Sequence, residues 1–195
     1  MHYKAMLQHR RIIVGISGAT GICYAERLLE LLKQHDIESH LVVSKPAELT
    51  RSYESKVTAK ELKALASVVH NNADISASIA SGSYPTDGII VIPSSVKMLG
   101  DIANGIGDSL IARAADVVLK ERRKLILCVR ETPLNLIHIE NMKRITLAGG
   151  IIMPPVPAFY HQPQTLDDII DDFARRVLDV FGVTLQNNKQ WKGKK

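Results

Sequence analysis

Arg113-Ala-Ala-Asp-Val-Val-Leu-Lys-Glu-Arg-Arg-Lys-Leu-Ile-Leu-Cys-Val-Arg-Glu-Thr-Pro133 is the stretch whose reading decides the fold. Ala114, Val117 and Val118 recur at the spacing of one helix face, so its first part reads as a helix. Lys124–Val129 is an apolar run of strand length and reads as buried. That strand delivers Arg130, Glu131, Thr132 and Pro133 at its carboxyl end. Open α/β sheets bind ligands in the crevice outside those ends. An Arg–Glu pair there, with Arg113 and Lys120 on the preceding helix, is suited to hold an anion. Charge runs on helices are more often solvated faces, but ionic groups directly after a buried strand have a stronger claim to a site.

Outward from this unit the chain alternates. Strands are expected at 11–16, 37–43, 88–92 and 150–153, and helices at 22–35, 47–54, 58–66, 96–104, 135–148 and 166–181. Thr58 with Glu61 forms a capping box, and Thr165 caps the last helix with Asp167 and Asp168 in its first turn. The segment 67–86 is the least patterned, with Ala80-Ser-Gly-Ser83 as a loop. Strands alternating with helices imply an α/β fold, a doubly wound and mostly parallel sheet. Residues 1–183 read as one domain and 184–195 as a basic tail, with no internal repeat.

Hydrophobic residues at 46% and charged residues at 23% are ordinary for a soluble globular chain. The net charge of +5 invites a nucleic-acid reading, but its location argues otherwise. Lys189, Lys192, Lys194 and Lys195 carry most of it in the tail and leave a nearly neutral body. Cys23 and Cys128 fall inside a predicted helix and a predicted strand, as small core residues of a reduced protein do. No apolar run approaches the roughly 18 residues of a membrane span, and Met1-His-Tyr-Lys-Ala-Met6 lacks the apolar core of a signal peptide. The expectation is a cytoplasmic protein that binds neither nucleic acid nor membrane.

Gly15-Ile-Ser-Gly-Ala-Thr-Gly21 joins the first strand to the first helix. Glycines there let backbone amides approach a phosphate at a helix start, although a purely structural turn is the plain alternative. The second strand ends in Ser44-Lys45, without the acid that holds an NAD ribose. One phosphate, as in a mononucleotide such as FMN, fits better. Pro93-Ser94-Ser95 repeats the pattern, with simple N-capping as its alternative. The seven histidines show no metal spacing, so no metal is expected, and His138 and His161 read as structural. Asp167, Asp168, Asp171 and Asp172 read as a solvated face, and no Gly-x-Ser-x-Gly elbow is complete.

Ser17-Gly-Ala-Thr-Gly21, Ser44-Lys45, Ala80-Ser-Gly-Ser83, Arg113-Ala-Ala-Asp-Val117, Lys120-Glu-Arg-Arg123, Arg130-Glu-Thr-Pro133, His138-Ile-Glu-Asn-Met142 and Pro154-Pro-Val-Pro-Ala-Phe-Tyr-His-Gln-Pro163 together resemble the flavin prenyltransferases of the UbiX/Pad family. The resemblance covers about residues 11–183. It implies a Rossmann- or flavodoxin-like flavoprotein that joins a dimethylallyl group from dimethylallyl monophosphate to reduced FMN, without a metal. The prenylated FMN would pass to a UbiD-type decarboxylase. By the same resemblance, Gly18, Ala19, Thr20, Ser44, Ser95, Val96, Lys97, Met98 and Arg130 would contact FMN, with Arg113 nearby. Lys120, Arg130, Tyr160 and Arg176 would hold the prenyl phosphate, with Ser81 and Gly82 beside the substrate. Glu131 and Glu54 would assist proton movement, and Trp191 would lie close to the site. The resemblance also implies a homo-oligomer, a dodecamer whose sites lie between chains, with Tyr160 and Arg176 supplied by a neighbour.

The sequence departs from the family's usual Cys-Ser-x-x-Thr at Ser94-Ser-Val-Lys-Met98, where Met98 removes a hydroxyl expected at FMN. Two other readings compete. An FMN-dependent cysteine-type decarboxylase shares the first turn but carries a Pro-x-Met-Asn motif that is absent from this sequence. A non-catalytic flavin carrier subunit would not need Lys120, Glu131 and Arg176.

Overall fold

The computed structural model describes residues 10–185; the basic tail from 186 onward, with Trp191, lies outside the described residues. The first half of the chain runs β1 (Arg11–Ile16), α1 (Ile22–Gln34), β2 (Glu38–Val43), α2 (Lys45–Glu54), α3 (Ala59–Ala64) and β3 (Val68–Asn71). The second half runs β4 (Gly88–Ser94), α4 (Val96–Ala103), α5 (Leu110–Lys120), β5 (Lys124–Val129), α6 (Leu136–Leu147), β6 (Ile151–Ile152) and α7 (Leu166–Phe181). The strands form one sheet in the order β3-β2-β1-β4-β5-β6, and every pairing is parallel. This is the doubly wound α/β architecture, in which the strand order reverses between β1 and β4.

The apolar runs of the central strands follow from burial on both faces. Ile12, Val14, Ile90 and Ile126 pack with α1 and α7, whereas Ile13, Ile89, Val91 and Leu125 pack with α4 and α5. Each such side chain contributes about 1.5–3 kcal/mol relative to exposure. Cys128 belongs to the first of these cores, where burial pushes its thiol up from the ordinary value. Among the described residues, no helix is long and apolar enough to cross a membrane.

Four details differ from the expectation. β3 lies inside the segment read as unpatterned, because it is an edge strand paired only with β2 and its side chains are largely exposed. α5 begins at Leu110, not at Arg113, because the Ser109 hydroxyl accepts from the Ala112 amide. β4 runs on through Pro93 and Ser94, with an irregularity in its pairing to β5 after Val91. Asp171 is not simply solvated: its carboxylate accepts from Arg27 of α1 and Arg175 of α7, at 2.8 and 2.7 Å. These bonds hold its carboxyl below the ordinary range against the opposing effect of burial, and they tie α7 to α1.

Two polar links fix the sheet's first half. Glu38 accepts from Arg11 and meets the Nε2 of buried His40, and His40 Nδ1 lies 2.8 Å from His70 Nε2 on β3. The other link is Glu54, at the end of α2. Its carboxylate accepts the Gly21 and Ile22 amides at 2.8 Å each, and the Thr20 hydroxyl at 2.5 Å. Gly21, with φ of 105°, offers no side chain to cap α1, so Glu54 serves as the cap across space.

Both links can be tested by unfolding. Burial, and then the neighbouring His40, make His70 harder to protonate than its ordinary value of 6.5. The unfolded chain therefore takes up the proton first, so this contribution to stability is complete above that value and is lost as the pH falls below it. Urea melts at about pH 8 and about pH 5.5 should show a steeper loss for the native chain than for His70→Gln. Glu54→Ala should lower stability by about 1 kcal/mol, as loss of a helix cap does, read from the urea midpoint.

Candidate functional site

The reversal of strand order leaves a crevice beyond the carboxyl ends of β1 and β4. A pocket of about 550 Å³ opens there. Its walls are largely the segments that follow four of the parallel strands. After β1 come Gly18, Ala19 and Thr20; after β2, Ser44; after β4, Ser95, Val96, Lys97 and Met98; after β5, Arg130 and Glu131. Ten residues singled out from the sequence are thus brought together. Gly18 has a steric reason to be glycine, because a Cβ would lie 2.4 Å from the Pro46 Cβ at the start of α2.

Other expected residues lie elsewhere in the chain. Arg113 sits one turn into α5, paired with Asp116, and is not part of the pocket wall. Lys120 ends α5, where its ammonium pairs with Glu121 and lies beside Gly82, the neighbour of Ser81. That is the amino edge of the sheet, next to the start of β5, so the expected convergence of Lys120 with Arg130 does not occur within one chain. The reason is direction: α5 runs antiparallel to the strands and carries its last residue away from their carboxyl ends. Tyr160, in the loop before α7, and Arg176, on α7 and paired with Asp179, are both outside the pocket wall. Glu54 stands behind the first turn as its cap.

Sequence reasoning did not single out Ser17, Pro46, Asn72, Asp101, Asp108 and Ser109, all of which line the pocket. The capping chemistry of Ser109, one residue before α5, is the signal that could have found it, whereas Asn72 follows the unrecognised edge strand. Asn72 accepts the Leu110 amide on its carbonyl at 2.8 Å and the Ile111 amide on Oδ1 at 3.2 Å.

Four helices, α1, α2, α4 and α5, turn their amino ends to this crevice, and their first amides need acceptors. The amides of α1 are held by Glu54, and those of α5 by Asn72. The second residue of α2, Pro46, has no N–H. At α4 the Ser95 hydroxyl takes the Met98 amide, while the amides of Val96 and Lys97 have no partner among the described residues. The first-turn amides of Gly18 and Thr20 are likewise without an acceptor among the described residues, so open donors line the crevice at both the first turn and α4. Lys97 is already paired with Asp101 at 2.6 Å, whereas the Arg130 guanidinium forms no ion pair among the described residues. Asp101, Asp108 and Glu131 add negative charge to the same wall. The Glu131 Oε1 accepts the Thr132 amide at 3.0 Å.

The Met98 side chain, which replaces the expected hydroxyl, is only 6% exposed and packs into the core between the sheet and α4. Its amide remains bonded to Ser95, so the backbone of this wall does not depend on the missing hydroxyl.

The family model described as Flavoprotein matches residues 1–177. The flavin prenyltransferase UbiX of Neisseria meningitidis is 52% identical over 184 residues, covering 94% of this chain and 97% of that protein. The structure of AnUbiX (PadA1) in complex with FMN and dimethylallyl pyrophosphate has a TM-score of 0.94 at 45% identity, covering 96% of this chain and 100% of that one. A dodecameric FMN-dependent UbiX-like decarboxylase from Escherichia coli O157:H7 has a TM-score of 0.91 at 48% identity, covering 94% of this chain and 100% of that one. With a crevice at the switch point and relatives this similar over nearly the whole length, the chain belongs to the flavoprotein family and, within it, to the UbiX flavin prenyltransferases.

Proposed function

We propose that this chain transfers a dimethylallyl group from dimethylallyl monophosphate to reduced FMN. The observation that carries the reading is the convergence of residues 18–20, 44, 95–98, 130 and 131 on one crevice. The open amides of Val96 and Lys97 suit the flavin phosphate, and Gly18 leaves room for close approach to the first turn. Residues 1–183 would be the FMN-binding unit of a cytoplasmic protein, with the product passing to a UbiD-type decarboxylase.

The flavin supplies a nucleophilic nitrogen and a ring carbon, and the donor's carbon–oxygen bond breaks to release phosphate. The protein's task is to hold the departing phosphate with fixed cations, where developing charge is greatest. Arg130 is the pocket cation without an ion-pair partner among the described residues. The ring carbon must lose a proton, and Glu131, with one oxygen free of the Thr132 amide, would accept it. Ala19, Pro46 and Val96 give the wall apolar surface, which keeps water from the allylic fragment.

A single chain has too few pocket cations for two phosphate groups, and this supports a composite site. Lys120, Ser81 and Gly82 form a second cluster at the other edge of the sheet, suited to complete the pocket of another copy. Tyr160 and Arg176 would be supplied in the same way. Large apolar side chains are exposed along α6 and the loop to α7, among them Leu136, Ile137, Val156, Phe159 and Leu166, as expected of a surface covered by other subunits. The relative described as dodecameric supports that assembly.

The deciding experiment is anaerobic incubation with reduced FMN and either dimethylallyl monophosphate or the pyrophosphate, followed by mass spectrometry of the extracted flavin. A flavin heavier by one prenyl unit with the monophosphate is the expected result. Tightly bound but unmodified flavin with both donors would favour the carrier reading. Glu131→Gln should bind FMN and donor yet form little product; normal turnover would remove Glu131 from the mechanism. Lys120→Ala and Glu131→Gln should each be inactive alone but recover about a quarter of native activity when co-assembled, because a composite site can draw one intact half from each chain.

A further inference from the structure

The β1–β4 register runs to Gly15 opposite Val91, and the crevice opens beyond the carboxyl ends of the two strands. One buried side chain bridges them after that point. Ser17 is 2% exposed; its hydroxyl donates to the Pro93 carbonyl at 3.1 Å and accepts the Ser95 amide at 2.7 Å. The Ser17 amide donates to the same Pro93 carbonyl at 3.2 Å. Ser95 in turn caps α4 through the Met98 amide. The chain of bonds therefore runs from the end of β1 to the wall formed by Ser95, Val96, Lys97 and Met98.

We propose that Ser17 is a positioning residue, which sets the β4–α4 turn so that this wall receives the phosphate of FMN. The inference rests on the reading that residues 95–98 hold FMN. Ser17 acts through Ser95 and need not touch the flavin. Its single proton is directed to Pro93, so the hydroxyl faces Ser95 with a lone pair, the role an acceptor must fill for a buried amide. Without it the Ser95 amide lacks an acceptor, and the turn must shift to find water. Such a shift displaces donors that meet the phosphate, while the part of the crevice formed by the first turn and Arg130 remains.

The test compares FMN with riboflavin, which lacks the phosphate, in binding titrations followed by flavin fluorescence. Ser17→Ala should weaken FMN binding by about tenfold, the scale of one lost hydrogen bond, and leave riboflavin binding within about twofold. Ser17→Thr, which retains the hydroxyl, should restore FMN affinity. Equal losses for both flavins, or no loss for either, would overturn the proposal while leaving FMN binding intact. A native chain that fails to bind FMN would instead overturn the underlying reading. Should Ser17→Ala not fold, Ser17→Cys preserves the volume with a weaker acceptor, and the same ratio of affinities decides.

Discussion

β1 is hydrogen-bonded to β2 along its whole length and to β4 only as far as Gly15. The crossover helices on its two sides leave in opposite directions, so no element fills the space beyond its carboxyl end. The crevice is a consequence of strand order. Residues with little in common as sequence share its wall because parallel strands bring every carboxyl end to the same edge. The residues that follow those strands are therefore neighbours, whatever their separation along the chain.

Polar satisfaction then shapes what the crevice can accept. Each helix entering it carries amides that need acceptors, and two of the four are answered by residues from elsewhere, the Glu54 carboxylate for α1 and the Asn72 carbonyl and side chain for α5. Among the described residues, the lining amides of Gly18, Thr20, Val96 and Lys97 have no acceptor, and the Arg130 guanidinium forms no ion pair. Such donors suit an oxyanion by their direction. The carboxylates of Asp101, Asp108 and Glu131 keep the pocket from being a general anion sink.

The same logic separates the two ends of the molecule. Arg130 and Lys120 are close in sequence, yet β5 lies between them and carries them to opposite edges of the sheet. A strand of 6 residues spans about 20 Å. Spacing along the chain is thus a poor guide to what converges here. The sheet direction explains why Lys120 meets Gly82 instead.

Sequence alone determined the central strands and the long helices. Beyond their first residues, Lys124–Val129 and Arg11–Ile16 are apolar on both faces, and Thr165 marks the start of α7 by its capping chemistry. It also placed Gly18–Thr20, Ser44, Ser95–Met98, Arg130 and Glu131 at strand ends, where parallel sheets put their sites. β3 was not legible, because an exposed edge strand is held by backbone pairing to β2 and needs no apolar alternation. The tertiary structure alone decided that Glu54 caps α1, that Asn72 reaches α5, and that Ser17 bridges β1 to α4. These contacts join residues far apart in the chain, and local propensity carries no record of a hydrogen bond formed only after the sheet has assembled.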